Sequence, residues 1–222
     1  MMDHEMHTLD PIQPGKIHWS WDMACARASA RGFPDRHIAQ IHKGGTSLDP
    51  ARLESWGTIR DAVINRGLVL MTGPNGVGKT HIASLLGCQW EYRGYGAAAG
   101  EARYWTAYDL LGDQMKWFGH KDDAERKPIP SPEEIARRAG LLVIDQLNEL
   151  RTDTEFGRTA FVAMVNDRYA TGKPTVLVTN QTAAHVFDSV LGGDMERLKE
   201  GGRVVSCKWN NYRDVIAGKG ER

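Results

Sequence analysis

The eight residues Gly73-Pro74-Asn75-Gly76-Val77-Gly78-Lys79-Thr80 constrain this chain more than any other stretch, because they fit GxxxxGK[ST] in full. Their context matters as much as the match. The apolar run Leu68-Val69-Leu70-Met71 before them reads as a buried strand, and the residues after them predict a helix over 79–93. Glycines in such a loop permit positive φ, so successive backbone N–H groups can converge into an anion nest. The following helix adds the positive end of its dipole. Lys79 supplies a mobile charge for the β- and γ-phosphates of a nucleotide, and the Thr80 hydroxyl a ligand for magnesium. His81 completes the segment. ATP and Mg2+ are therefore the ligands that the motif implies.

Strand and helix patterns alternate from there on. A strand is predicted at 102–106, a helix at 107–118 and a polar loop at 119–130. Ser131-Pro132-Glu133-Glu134 is a strong helix start, with a cap, a proline in the first turn and acids on the positive end of the dipole. Leu141-Leu142-Val143-Ile144 is the next buried strand. A helix follows at about 155–171, a strand at 174–179, helices near 182–191 and 194–200, a strand at 203–209 and a last helix at 210–217. Upstream, 1–21 reads as an irregular arm in which Trp19 and Trp21 are the heavy apolar groups. A short helix fits 22–31, and Gly44-Gly45 interrupts the chain before a helix at about 50–66. That helix opens on Asp49 and Pro50 and turns Leu53, Trp56, Ile59, Val63 and Ile64 to one face. Continuous apolar strands separated by helices indicate a mainly parallel α/β sheet covered on both sides.

Composition narrows the function. Lys+Arg and Asp+Glu are both 28, so contact with DNA must come from a local patch or from several copies pooling their charge. Cys25, Cys88 and Cys207 are far apart in sequence and read as reduced thiols, and the histidine spacing does not suggest a metal site. No apolar run approaches the roughly 20 residues of a membrane span, and the start is unlike a signal peptide, so a cytoplasmic protein with no membrane partner is expected.

A second acid should complete the magnesium site, and Asp145 ends the run Leu141-Leu142-Val143-Ile144; a helix cap is the alternative. An aspartate after four aliphatics is costly to bury without a cationic partner. Gln146 follows, where a water-activating glutamate is usual in ATPases of this type. Glutamine can orient a water but is a far weaker base at neutral pH. Binding follows from these residues, whereas hydrolysis does not. Thr179 and Asn180 end the strand at 174–179 and should emerge beside the same phosphates. Asn180 either holds the attacking water or is a plain turn residue.

Taken together, GPNGVGKTHIA (73–83), LLVIDQLNE (141–149), NDRYATGKPTVLVTN (166–180) and MERLKEGGRVVSCKWNNYR (195–213) resemble the DnaC/IstB-type ATPases of the AAA+ class. These load replicative helicases or assist transposition. The likeness covers about 45–217 and implies a P-loop NTPase of the AAA+ type, with a mainly parallel five-stranded sheet of order 5-1-4-3-2. It makes 45–222 the ATPase domain and leaves 1–44 as an arm and short helix available for docking a partner. It also assigns roles: Asn180 as sensor asparagine, Arg197 as the arginine offered to a neighbouring subunit's ATP, and Arg213 as the nucleotide-sensing arginine of the C-terminal helix. Without the resemblance, both arginines read as helix-borne surface charge. Family members usually carry glutamate at the position of Gln146, and some carry an extra arginine where this chain has Gly193.

The resemblance implies an ATP-dependent homo-oligomer that holds single-stranded DNA and loads a replicative DNA helicase. A transposition helper shares every ATP-site feature. An ATP-gated adaptor that does not hydrolyse would follow from Gln146, and a small-molecule kinase would need an arginine-rich lid that is not evident. For DNA, Lys116, Trp117, Phe118, His120 and Lys121 mix charge with aromatic rings able to stack bases, although the helix needs apolar residues for its own core. Arg137 and Arg138 are a second candidate pair, or simply a solvated helix face.

Overall fold

The computed structural model describes residues 20–43, 50–65, 67–94, 99–119, 130–150, 155–190 and 202–209. In chain order these form α1 (Trp21–Ala30), α2 (Asp35–His42), α3 (Pro50–Ile64), β1 (Leu68–Thr72), α4 (Lys79–Tyr92), β2 (Ala102–Thr106), α5 (Ala107–Gly119), α6 (Pro132–Arg138), β3 (Leu141–Asp145), α7 (Glu155–Ala170), β4 (Thr175–Val178), α8 (Ala183–His185) and β5 (Arg203–Ser206). The five strands make one sheet in the order β2-β3-β4-β1-β5, and every neighbouring pair is parallel. Read from the other edge, this is the 5-1-4-3-2 order of the AAA+ class.

Each central strand buries both faces, which is why its sequence is apolar without alternation. Val69, Met71, Val143, Val176 and Val178 point into a core shared with α1 to α4. Leu68, Leu70, Leu142, Ile144 and Leu177 point into a second core closed by α5, α6 and α7. In α3, Trp56, Ile59 and Val63 are buried as expected; Asp49 and the Leu53 side chain lie outside the described residues.

Several boundaries shift. β4 runs over Thr175–Val178 rather than 174–179, because Pro174 has no N–H to give to a ladder. β5 ends at Ser206, short of the expected 209. The helix expected near 182–191 is one α-turn, Ala183–His185, capped by Thr182, which widens into a π-type turn over Val186–Val190. The segments expected as helices at 194–200 and 210–217 lie outside the described residues.

α2 is not among the elements expected from the residue pattern. Its helix is eight residues long, opens after Pro34 with Asp35 in its first turn, and buries Ile38 and Ile41. A tight turn at Gly32 (φ 93) joins it to α1. A Cβ there would sit 2.5 Å from the carbonyl oxygen of Tyr104, so the turn has room for glycine alone. Tyr104 donates its backbone N–H to Arg31 O at 3.1 Å, which ties the α1–α2 turn to β2, the edge strand. Phe33 then lodges against Gly87 of α4 and against the Tyr104 ring, 5.4 Å away between centroids. Trp21 packs edge-on against Tyr92 at 5.4 Å. Residues 20–43 thus share one core with the helix that follows the glycine-rich loop.

Candidate phosphate and metal site

β1 and β3 run parallel with β4 between them, so their carboxyl ends bring the glycine-rich loop and Asp145 to the same rim of the sheet. Here the Thr80 hydroxyl donates to Asp145 Oδ2 at 2.7 Å. The Tyr104 phenol, from the middle of β2, donates to the same oxygen at 2.8 Å. Asp145 Oδ1 accepts the backbone N–H of Gln146 at 2.7 Å. Two hydroxyls and an amide thus surround this buried carboxylate, and charge-assisted hydrogen bonds of this kind hold a carboxylate firmly. Burial and the adjacent carboxylate both push the Tyr104 phenol above its ordinary range.

The loop has the conformation its glycines permit. Gly73, Gly76 and Gly78 have φ of 142, 85 and 97°. Gly73 is also pressed against β5, where a Cβ would lie 2.4 Å from Cys207 O. Lys79 Nζ donates to Gly73 O at 2.7 Å and to Pro74 O at 2.8 Å, folding the ammonium over the loop. Desolvation lowers its pKa, opposed by Cys207 and Asp145. From the end of β4, Asn180 donates its side-chain amide to Asn75 Oδ1 at 3.3 Å.

These groups surround a cavity of about 400 Å³. Asn75, Gly76, Gly78, Lys79, Thr80 and His81 form one wall, and Asp145, Gln146, Thr179 and Asn180 face them. Gly73, Pro74 and Val77 belong to the loop but not to this wall; the Val77 side chain is buried in the core. Gln146 stands at φ 59°, the one non-glycine residue with positive φ among those described. Arg197 and Arg213 lie outside the described residues.

Sequence reasoning missed a third wall. Arg36, His37 and Gln40 of α2 line the same cavity, with the His37 ring set edge-on to that of His81 at 5.6 Å. Asn148 joins from the turn after β3. No spacing rule marks these residues, since a fold contact delivers them. Tyr104 was legible only as a strand residue. Trp209 falls within the stretch 195–213, yet the bond from its indole N–H to Val77 O depends on where β5 ends.

The suggested DNA-contacting residues are partly described. Phe118 is exposed on α5 with the Trp117 ring edge-on to it at 5.2 Å, and Lys116 pairs with Asp113 at 3.3 Å; His120 and Lys121 lie outside the described residues. Arg137 is engaged by Glu133 and Asp167, both at 2.9 Å, and Arg138 by Glu134, as on a solvated helix face. Among the described residues no group of three His, Cys, Asp or Glu is arranged to hold a metal, and no helix is long and apolar enough to cross a membrane.

This chain is similar to an ATP-binding protein of insertion sequence IS5376 from Geobacillus stearothermophilus, with 28% identity over 172 residues. The alignment covers 75% of this chain and 63% of that relative. Among solved structures, AMPPCP-bound DnaA from Aquifex aeolicus superposes with a TM-score of 0.60 at 19% identity, covering 78% of this chain and 52% of that one. A DnaC helicase loader superposes with a TM-score of 0.55 at 17% identity, covering 72% of this chain and 91% of the loader. Both share the fold built here: a P-loop on a five-stranded parallel sheet. The family described as IstB-like ATP binding protein matches residues 34–214, and with that span covering most of the sequence the chain belongs to this family.

Proposed function

We propose that this protein binds ATP with magnesium at the Gly73–Thr80 loop and uses the bound nucleotide to place a DNA-processing partner on DNA. The observation that supports this most directly is the 2.7 Å contact between the Thr80 hydroxyl and Asp145, beside a lysine folded over the loop. Oxygen ligands from a threonine and an aspartate suit a hard divalent cation, so Thr80 and Asp145 would hold the magnesium. That ion would supply positive charge to the β- and γ-phosphates. Lys79 would exchange its two carbonyl partners for phosphate oxygens, and Asn180, tied to Asn75, would stand by the terminal phosphate.

Gln146 occupies the position from which a general base would act, and glutamine takes no proton at neutral pH. In our reading ATP therefore acts first as a switch, with slow turnover. Arg197 and Arg213 complete the site in this proposal, Arg197 from a neighbouring copy, which makes ATP the agent of homo-oligomerisation.

For the partner, loading of a replicative helicase onto single-stranded DNA is our leading reading. Its support is the likeness in fold to the DnaC helicase loader, of which 91% is covered. A second reading, help to a transposase, is favoured by the similarity to the insertion-sequence protein. Sedimentation with ATP–magnesium and a single-stranded oligonucleotide, with either the replicative helicase or a transposase added, separates the two. The loader reading expects an ATP-dependent complex with the helicase. Co-sedimentation with the transposase alone transfers the role to transposition, and a monomer that ignores ATP and DNA overturns both.

A further inference from the structure

The glycine-rich loop is gripped from behind by a residue outside every nucleotide-binding motif. Trp209 lies three positions past the end of β5, and its indole Nε1–H donates to Val77 O at 2.6 Å. Its mooring is firm. Cys207 donates its backbone N–H to Thr72 O at 2.7 Å, which carries the contact with β1 one residue past the end of β5 and up to the last residue before the loop. The close approach of Gly73 to Cys207 leaves no space between the two segments. Trp209 is half-buried against the core that also holds the Val77 side chain.

This bond has a consequence for the other side of the loop. A peptide unit is planar and trans, so its C=O and the next N–H point in opposite directions. Fixing Val77 O on Trp209 turns the Gly78 N–H away from the indole, to the side where Gly76 and Gly78 line the cavity. Gly78, at φ 97° and at the head of α4, has its own carbonyl held by the Ile82 N–H at 3.0 Å but no Cβ to fix the Val77–Gly78 peptide before it. Val77 is absent from the cavity wall, in keeping with a carbonyl that faces outward.

We infer that Trp209 is a positioning residue for polyphosphate binding: its indole N–H sets the Val77–Gly78 peptide so that the Gly78 N–H is aimed at phosphate before the nucleotide arrives. The inference rests on the proposed role of the loop in binding ATP. A loop organised in advance loses less conformational freedom on binding, and so gains affinity without touching the ligand. The gain falls on nucleotides whose outer phosphates occupy the nest, and not on the base or ribose.

Trp209→Phe keeps an aromatic ring and removes the donor, and Trp209→Leu is a second apolar form without a donor. Isothermal titration of the full chain with ATP, ADP and AMP is the experiment, alongside thermal unfolding without nucleotide. The expected result is a Kd for ATP and for ADP raised about 2- to 12-fold, the scale of one lost hydrogen bond. AMP binding and the unfolding midpoint should stay close to wild type. Unchanged ATP affinity in a folded variant overturns the inference, as does an equal loss for AMP. Failure of both variants to fold overturns it too, because the indole would then hold the fold and not the loop. A wild-type chain that binds no ATP sinks the nucleotide reading itself, a result visible before any variant is made.

Discussion

Thr80 and Tyr104 converge on one oxygen of Asp145: two hydroxyls from α4 and the edge strand β2 donate to Oδ2 at 2.7 and 2.8 Å. The carboxylate is 4% exposed, so these donors replace water almost completely. Tyr104→Phe removes one of them without changing the shape of the core. The expected loss is about 1–2 kcal/mol of stability in nucleotide-free protein, the cost of an under-satisfied buried carboxylate. Urea unfolding would show a lower midpoint at unchanged slope, and a midpoint equal to wild type would contradict the role given to this phenol.

Gln146 combines two separable properties, a side chain that cannot take a proton and a backbone at φ 59°. Gln146→Glu should raise steady-state ATP turnover by about 10²-fold or more, the range for a positioned general base. A phosphate-release assay with saturating ATP–magnesium is the check, and equal turnover in the two proteins would remove residue 146 from the chemistry. Gln146→Gly tests the backbone alone. It should stabilise the protein by up to about 1 kcal/mol, since glycine adopts this conformation without the Cβ penalty.

Arg168 is fully buried at the end of α7, and its guanidinium donates to Ala136 O, Ala139 O and Pro174 O at 2.6–2.7 Å, and to Thr175 Oγ1 at 2.9 Å. Desolvation lowers its pKa to about 9. Its planar fork ties α6 and its exit to the start of β4, in the place of a structural clamp. Lysine offers a point charge and fewer donors, so Arg168→Lys should cost about 3 kcal/mol or more. Denaturant unfolding monitored by circular dichroism measures it. A cost below about 1 kcal/mol would show that the carbonyls find other donors.

Burial pushes the Cys207 thiol from 9.0 up to about 11, opposed in part by Lys79. The folded state therefore keeps this proton at a pH where the unfolded chain has released it. The resulting stability is complete below pH 9.0 and is lost as the pH rises through about 11. Two pK units correspond to about 2–3 kcal/mol. Cys207→Ala should show a smaller fall in stability between pH 8.5 and 11 than wild type, and parallel pH profiles would refute the assignment. The Cys88 thiol, also shifted upward by its hydrogen bond with the Cys25 thiol and by burial, contributes equally to both proteins and drops out of the comparison.

How much of this was written locally depends on which kind of information each residue carries. The loop at Gly73–Thr80 could be found from sequence because its chemistry needs consecutive residues: glycines for the nest, lysine and threonine at the helix start. Asp145 was legible for a related reason, since an acid closing an unbroken aliphatic run stands out against the composition of a buried strand. Those runs also determined that the sheet is parallel and covered on both sides; their order came through resemblance, and the pairing of β1 with β4 and β5 agrees with it. Tertiary structure alone decided the rest. Arg36, His37 and Gln40 reach the cavity because the Gly32 turn is bound to β2 and Phe33 fills the space above Gly87, none of which has a spacing signature. Tyr104 meets Asp145 through strand register, and Trp209 meets Val77 across 132 positions because β5 lies beside β1. Contacts between residues distant in sequence form only when the sheet sets their separation, so the pattern of residue types carries the chemistry and the fold supplies the geometry.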